Sequence, residues 1–153
     1  MREDSLRAGT KWLAGFAVIA GIAATLYLTG FCFSRMQYVG EDEFIANALM
    51  FRGPNIKGMP NPVTPEDVRK YREANPKCCR VQGPGFPLNS TFRDRLSGTK
   101  TTWVRILHAL PDELAVKYKG DTYYEAFIAL DRCGRAFRTA GQSLSEDEAK
   151  PQM

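Results

Sequence analysis

The sequence has 153 residues, a net charge of +4, one histidine and four cysteines. That length holds one domain and an extension rather than two domains, and its Phe, Tyr, Trp, Val, Ile and Leu suffice for a core. The basic excess is compatible with an anionic partner but too small to demand one.

Residues 12–33, WLAGFAVIAGIAATLYLTGFCF, contain no charged side chain. As a helix this stretch would reach about 33 Å, which matches a hydrocarbon core of ~30 Å. Trp12 and Tyr27 stand towards its two ends, where amphipathic rings favour the interface. The expectation is an uncleaved transmembrane anchor in which Cys32 packs as a small apolar residue. A cleaved signal peptide is the competitor, but Cys32-Phe33-Ser34 is a poor cleavage pattern. Leu28-Thr29-Gly30-Phe31-Cys32 is a poor lipobox, because Phe31 is bulky. Arg2, Arg7 and Lys11 precede the segment. After it, Arg35 is followed by Glu41, Asp42 and Glu43. The positive-inside bias therefore places residues 1–11 in the cytoplasm and the rest in the periplasm or outside the cell.

Residues 34–63 are expected to form a helix and a linker. The helix is 41–51, where three acids suit a helix N-terminus and Phe44, Ile45, Ala48, Leu49 and Phe51 form a stripe. The linker, 52–63, is rich in Gly and Pro. The globular domain spans 64–140. It opens with a strong helix start: Thr64 as cap, Pro65 in the first turn and Asp67 as the capping-box acid. This helix stops before Asn75-Pro76, with Glu66–Lys70 and Arg69–Glu73 pairs on its wet face.

Residues 77–81 are a short strand candidate, and 82–100 read mostly as loop. Asn89-Ser90-Thr91 there is an N-glycosylation acceptor pattern, relevant only in a eukaryotic secretory pathway. Residues 101–110, 114–119, 122–130 and 135–139 read as strands. Turns are expected at Pro111-Asp112, Gly120-Asp121 and Asp131-Arg132-Cys133-Gly134. The predicted fold class is α+β: a transmembrane helix, then one or two helices on a four-stranded antiparallel meander. Residues 141–153 are polar and acidic and are expected to be disordered.

At Tyr71, Asn75-Pro76-Lys77-Cys78-Cys79-Arg80-Val81 and Asp131-Arg132-Cys133-Gly134, the chain resembles small, signal-anchored, uncharacterised exported proteins of bacteria. The resemblance spans residues 64–139. It implies a bacterial envelope location, at the inner membrane, and carries no activity.

The residues able to carry chemistry are few. Cys78, Cys79 and Cys133 would lie in an oxidising compartment. Neighbours in a strand point to opposite faces, so one of Cys78 and Cys79 reaches Cys133. Cys79 shares a face with Val81, which favours Cys79–Cys133, with Cys78–Cys133 as the alternative and one thiol left over. A vicinal spacing suits neither a Cys-x-x-Cys redox centre nor a zinc site. His108 shares a face with Val104, Ile106 and Leu110. It reads as a hydrogen-bonded histidine at the sheet rim rather than the partner of a Cys78 nucleophile. Asp112, Glu113, Asp121, Glu125 and Asp131 fall at turns or strand ends and specify no acid–base pair. Arg69, Lys70, Arg72, Lys77 and Arg80 form the densest basic run, a candidate anion-binding set.

No catalytic residues, metal ligands or cofactor are assigned, and no nucleic-acid partner is expected. The function expected is a membrane-anchored, non-enzymatic binding or assembly module of the envelope. Its partners would be the lipid bilayer and another envelope protein or membrane complex. The alternatives are a thiol-dependent enzyme or redox protein using Cys78 or Cys79, and a binder of anionic envelope polymer through the basic helix.

Overall fold

The computed structural model describes residues 3–29, 31–82 and 101–152; the side chains of residues 3–11, 13, 14, 28, 29 and 152 are not described. The loop expected over most of 82–100, with the pattern at Asn89, lies outside the described residues, at 83–100.

The first helix, α1 (Glu3–Thr29), covers most of the apolar segment. Every described side chain from 15 to 25 is exposed, and Trp12, Phe16 and Ile19 are 71%, 66% and 66% accessible. Among the described residues no helix is long and apolar enough to cross a membrane. The expected span ran to residue 33, but the helix stops earlier. Cys32 instead exchanges backbone hydrogen bonds with Gln37, at 3.0 and 3.3 Å, across a tight turn. Met36 completes that turn at φ 54°.

Helix α2 (Glu41–Arg52) starts on three acids and buries Ile45, Ala48 and Leu49, while Phe51 of the expected stripe is exposed. A short 3-10 turn, Gly53–Asn55, opens the linker. Helix α3 (Pro65–Ala74) begins with the expected capping box: the Asp67 amide donates to Thr64 Oγ1 at 3.3 Å, and the Thr64 amide donates to the Asp67 carboxylate at 2.9 Å. The fixed φ of Pro65 suits the first turn, where its missing N–H is not needed. Glu66–Lys70 and Arg69–Glu73 pair as expected, at 3.6 and 2.9 Å.

The sheet is a four-stranded antiparallel meander, β1 (Cys79–Gln82), β2 (Thr102–Ala109), β3 (Tyr123–Leu130) and β4 (Ala136–Leu144), in that spatial order. The architecture is α+β, but one expected strand is a helix. Residues expected to form a strand at 114–119 lie largely in α4 (Asp112–Lys117). Two acids in its first turn and a lysine in its last complement the helix dipole. The helix buries no residue, so the Leu and Val alternation there marks no packed sheet face. Its place in the meander is taken by β1.

The tail also differs from expectation. β4 continues to Leu144, and a second capping box, Ser145 with Glu148, starts α5 (Glu146–Ala149). Leu144 and Ala149 then bury against Leu107. The capping sequence and two small apolar anchors order this segment despite its acidity.

One sheet face carries the main core. Val104 and Ile106 of β2 and Ala126, Ile128 and Leu130 of β3 meet Ile45, Ala48 and Leu49 of α2, with Ile56 and Val68. Arg72 of α3 reaches Asp42 of α2 at 2.7 Å, which ties the two covering helices together. On the opposite face, Glu125 is buried and accepts from Arg105 on β2 and from Gln142 on β4, at 3.1 Å for the latter.

Candidate functional site

All four cysteines are oxidised: Cys32 bonds Cys133 and Cys78 bonds Cys79. The expected Cys79–Cys133 bridge is not formed, and no thiol is left over. Register explains why. Cys79 lies on edge strand β1 level with Ile106 and, across β2, with Ala126. Two strand spacings, about 10 Å, already separate it from β3, and Cys133 follows the far end of that strand. A disulfide needs Cα atoms within about 7 Å.

Cys133 instead sits in the β3–β4 turn. There the Asp131 carboxylate accepts from the amides of Cys133 and Arg135, at 2.8 and 2.9 Å, and Gly134 takes φ 77°. This turn meets the one that begins at Cys32, with the two Cα atoms 4.9 Å apart. Cys32 is fully buried there and does not pack as a lone apolar residue in a membrane segment. Beside the bridge, the Arg132 guanidinium lies 3.6 Å from the ring centre of Tyr27, near the end of α1.

Strand alternation predicts that one of Cys78 and Cys79 faces Cys133, with the other left as a thiol; the two bond each other instead. The strand, however, begins only at Cys79. Cys78 lies in a bend whose amide donates to Asn75 O at 3.0 Å. A bond between adjacent side chains is incompatible with strand alternation, so β1 cannot continue through Cys78. On its β1 side the end of β2 beyond Ile106 consequently has no paired strand, while β3 continues to pair its other side. On that side the Leu107 amide, donating to Cys78 O at 2.8 Å, and Ala109 O, accepting from the Lys57 amide at 3.0 Å, tie the corner down.

A hollow of about 600 Å³ occupies that corner, lined by Lys57, Tyr71, Asn75, Lys77, Cys78 and Tyr123, among others. On the other side of the disulfide a second hollow of about 450 Å³ lies between α2 and α3. Cys78 lines both. Among the described residues neither Tyr71 nor Tyr123 has a hydrogen-bond partner for its hydroxyl. Burial, reinforced by Tyr123, pushes the Tyr71 phenol up to about 12, so it stays a neutral donor. Lys57 reaches Asp112 at 2.5 Å on the rim.

His108 forms part of the floor and is 2% exposed. Its Nε2 accepts from Arg52 Nε at 3.2 Å, and its Nδ1 faces Ala109 O at 3.0 Å. Those partners select the neutral tautomer protonated at Nδ1. Burial lowers its pKa to about 4; the Ala109 carbonyl pulls the other way, and the Arg52 cation lowers it further. Arg52 in turn lies 4.5 Å from the Tyr124 ring centre. His108 is therefore a satisfied structural group, and no Cys78–His108 nucleophile pair exists, because Cys78 is bonded to its neighbour.

The basic run does not converge. Arg69 pairs with Glu66 and Glu73, Lys70 with Glu66, and Arg72 with Asp42. Arg80 lies opposite Arg105, a register position on the face away from the helices. Lys77 alone of the five lines the corner hollow. Of the carboxylates, Asp131 builds its turn and Glu125 is buried against Arg105, away from the corner. Among the described residues no group of three or more His, Cys, Asp or Glu side chains could hold a metal ion.

Sequence reasoning missed the corner because Lys57, Tyr71 and Tyr123 are far apart in the chain. The adjacent cysteines after Asn75-Pro76 were the signal that a strand had to start late. No protein-family model, no curated protein and no solved structure matches this chain.

Proposed function

We propose that the chain is a single-pass membrane protein whose domain lies on the periplasmic or extracellular side and acts as a non-enzymatic binding or assembly module. The observation that carries this reading is the pairing of all four cysteines. Disulfides persist in oxidising compartments and are rare in the cytosol. The Cys32–Cys133 bridge further implies that residue 32 and the domain share one compartment. Residues 12–29 then supply the anchor, with its apolar side chains exposed to lipid rather than to the domain, and Arg2, Arg7 and Lys11 hold the N-terminus in the cytoplasm. The bilayer and a second envelope protein or membrane complex are the partners this arrangement suits.

A reporter active only outside the cytoplasm, fused after Met153, should be active in the membrane fraction. Activity of a cytoplasm-only reporter at the same position would overturn the topology.

A second reading is favoured by the bond at Cys78, which lines two hollows: thiol–disulfide exchange with a protein dithiol. A partner thiolate would attack Cys78 Sγ and expel the Cys79 thiolate, which takes up a proton. The partner's second thiol would then release Cys78, leaving the partner oxidised and the Cys78–Cys79 pair reduced. In the reverse direction the Cys78 thiolate of a Cys79→Ser variant would attack the disulfide form of the partner and expel one partner thiolate. With no Cys79 to resolve it the mixed disulfide would persist, and trapping it would favour this reading over the first.

A further inference from the structure

We propose that the hollow at the sheet corner binds a small organic anion, a carboxylate or phosphate monoester on a compact planar body. The chemistry of its lining carries this inference. Among the described residues, Lys57 and Lys77 are the charged ones at the hollow, and no carboxylate lines it. Two phenols without partners among the described residues, Tyr71 and Tyr123, add neutral donors for the same oxygens. Pro76, Leu107 and Cys78 give an apolar wall for a flat body. A volume of about 600 Å³ lies within the range that takes small ligands.

The contrast with α3 is informative. Arg69, Lys70 and Arg72 stand among three carboxylates, Glu66, Glu73 and Asp42, whose negative charge opposes an incoming anion there. At the corner Lys77 has no acid partner among the described residues, and the Lys57 partner, Asp112, is 86% exposed. An exposed pair of this kind is weak, so an incoming anion can displace it. The vicinal disulfide keeps the corner open by ending β1 at Cys79. This proposal rests on the reading of the domain as a binding module. It does not depend on the anchor, and its failure leaves the topology reporter untouched.

The test uses the full chain in detergent micelles, with tyrosine ring NMR signals followed during titration with benzoate, phenyl phosphate and neutral benzamide. Tyr71→Phe and Tyr123→Phe assign the two signals. Saturable shifts of both tyrosines are expected with the anions, and much weaker ones with benzamide. The stronger of the two anions identifies the headgroup. Lys57→Ala/Lys77→Ala should weaken anion binding about tenfold. Arg69→Ala/Lys70→Ala should leave it unchanged. All four side chains are exposed, so neither double variant threatens the fold. The absence of saturable shifts at tens of millimolar anion would overturn the proposal. So would equal binding of benzamide, or a greater loss in the α3 variant than in the corner variant.

Discussion

At the scale of single residues, His108 is the group whose burial makes a measurable prediction. The folded chain holds it neutral, with its pKa lowered to about 4 from 6.5. The unfolded chain therefore binds the proton more readily, and stability falls as pH drops from 6.5 towards 4. Above 6.5 both states are neutral and His108 contributes no pH dependence. The full difference is about 3 kcal/mol. The carboxylates of Glu66, Asp67 and Glu148 are lowered, led by bonds to Arg69, Thr64 and Ser145 respectively. Their stabilisation is lost only below the ordinary carboxylate range. Denaturation midpoints at pH 7 and pH 5 should thus differ in the parent chain, and His108→Gln should remove most of that difference. Equal midpoints in the parent would mean that His108 is not buried between Arg52 and Ala109.

At the scale of elements, the contact between β3 and β4 depends on a residue with no side chain. A Cβ placed on Gly141 would lie 2.3 Å from Glu125 O and 2.5 Å from Tyr124 Cε1. The Tyr124 ring, held by Arg52 and His108, occupies the space over this position. The Glu125 carbonyl cannot retreat without breaking the ladder. Gly141→Ala should cost about 1–3 kcal/mol, at the upper end of that range for overpacking. A midpoint shift of the same size at exposed Gly40, where nothing lies within 4 Å, would show that loss of glycine alone explains the effect.

The same scale shows what was legible in the chain. Elements signalled by local chemistry appeared where expected: the acids in the first turn of α2, the capping box of α3 and the turn at Asp131. The long strands β2 and β3 were visible from their β-branched and aromatic content. The segment at 114–119 was not, because alternation of Leu, Val and Tyr fits a strand and a short exposed helix equally well. Only the two acids and Lys117 distinguish them. The tail was misjudged because composition outweighed a capping box at Ser145 and Glu148. Strand alternation between Cys78 and Cys79 was sound physics applied one residue too far, since Cys78 stands before the strand. The corner hollow needed tertiary information that no local pattern holds.

At the scale of the whole molecule, the two disulfides differ in what they constrain, and the difference is measurable. Cys32 and Cys133 are separated by 101 residues. In the chain-entropy model a loop of that size gives about 4.7 kcal/mol, less any native strain. The bridge also ties the end of α1 to the β3–β4 turn, where Ser34 Oγ contacts both sulfurs, at 3.3 and 3.4 Å. Cys78–Cys79 closes no long loop, because its partners are adjacent, so its removal leaves the entropy of the unfolded chain almost unchanged. Alkylation of the unfolded, unreduced chain should therefore label no cysteine, and reduction should expose four. Cys133→Ser should lower the denaturation midpoint strongly and free Cys32 for labelling. Cys78→Ser/Cys79→Ser should leave global stability within about 1 kcal/mol, because no chain crossing is lost. Labelling of two cysteines before reduction, Cys32 and Cys78, with Cys133→Ser releasing Cys79, would replace this connectivity with a bridge across the sheet. A corner hollow held open by a vicinal pair would then lose its physical cause.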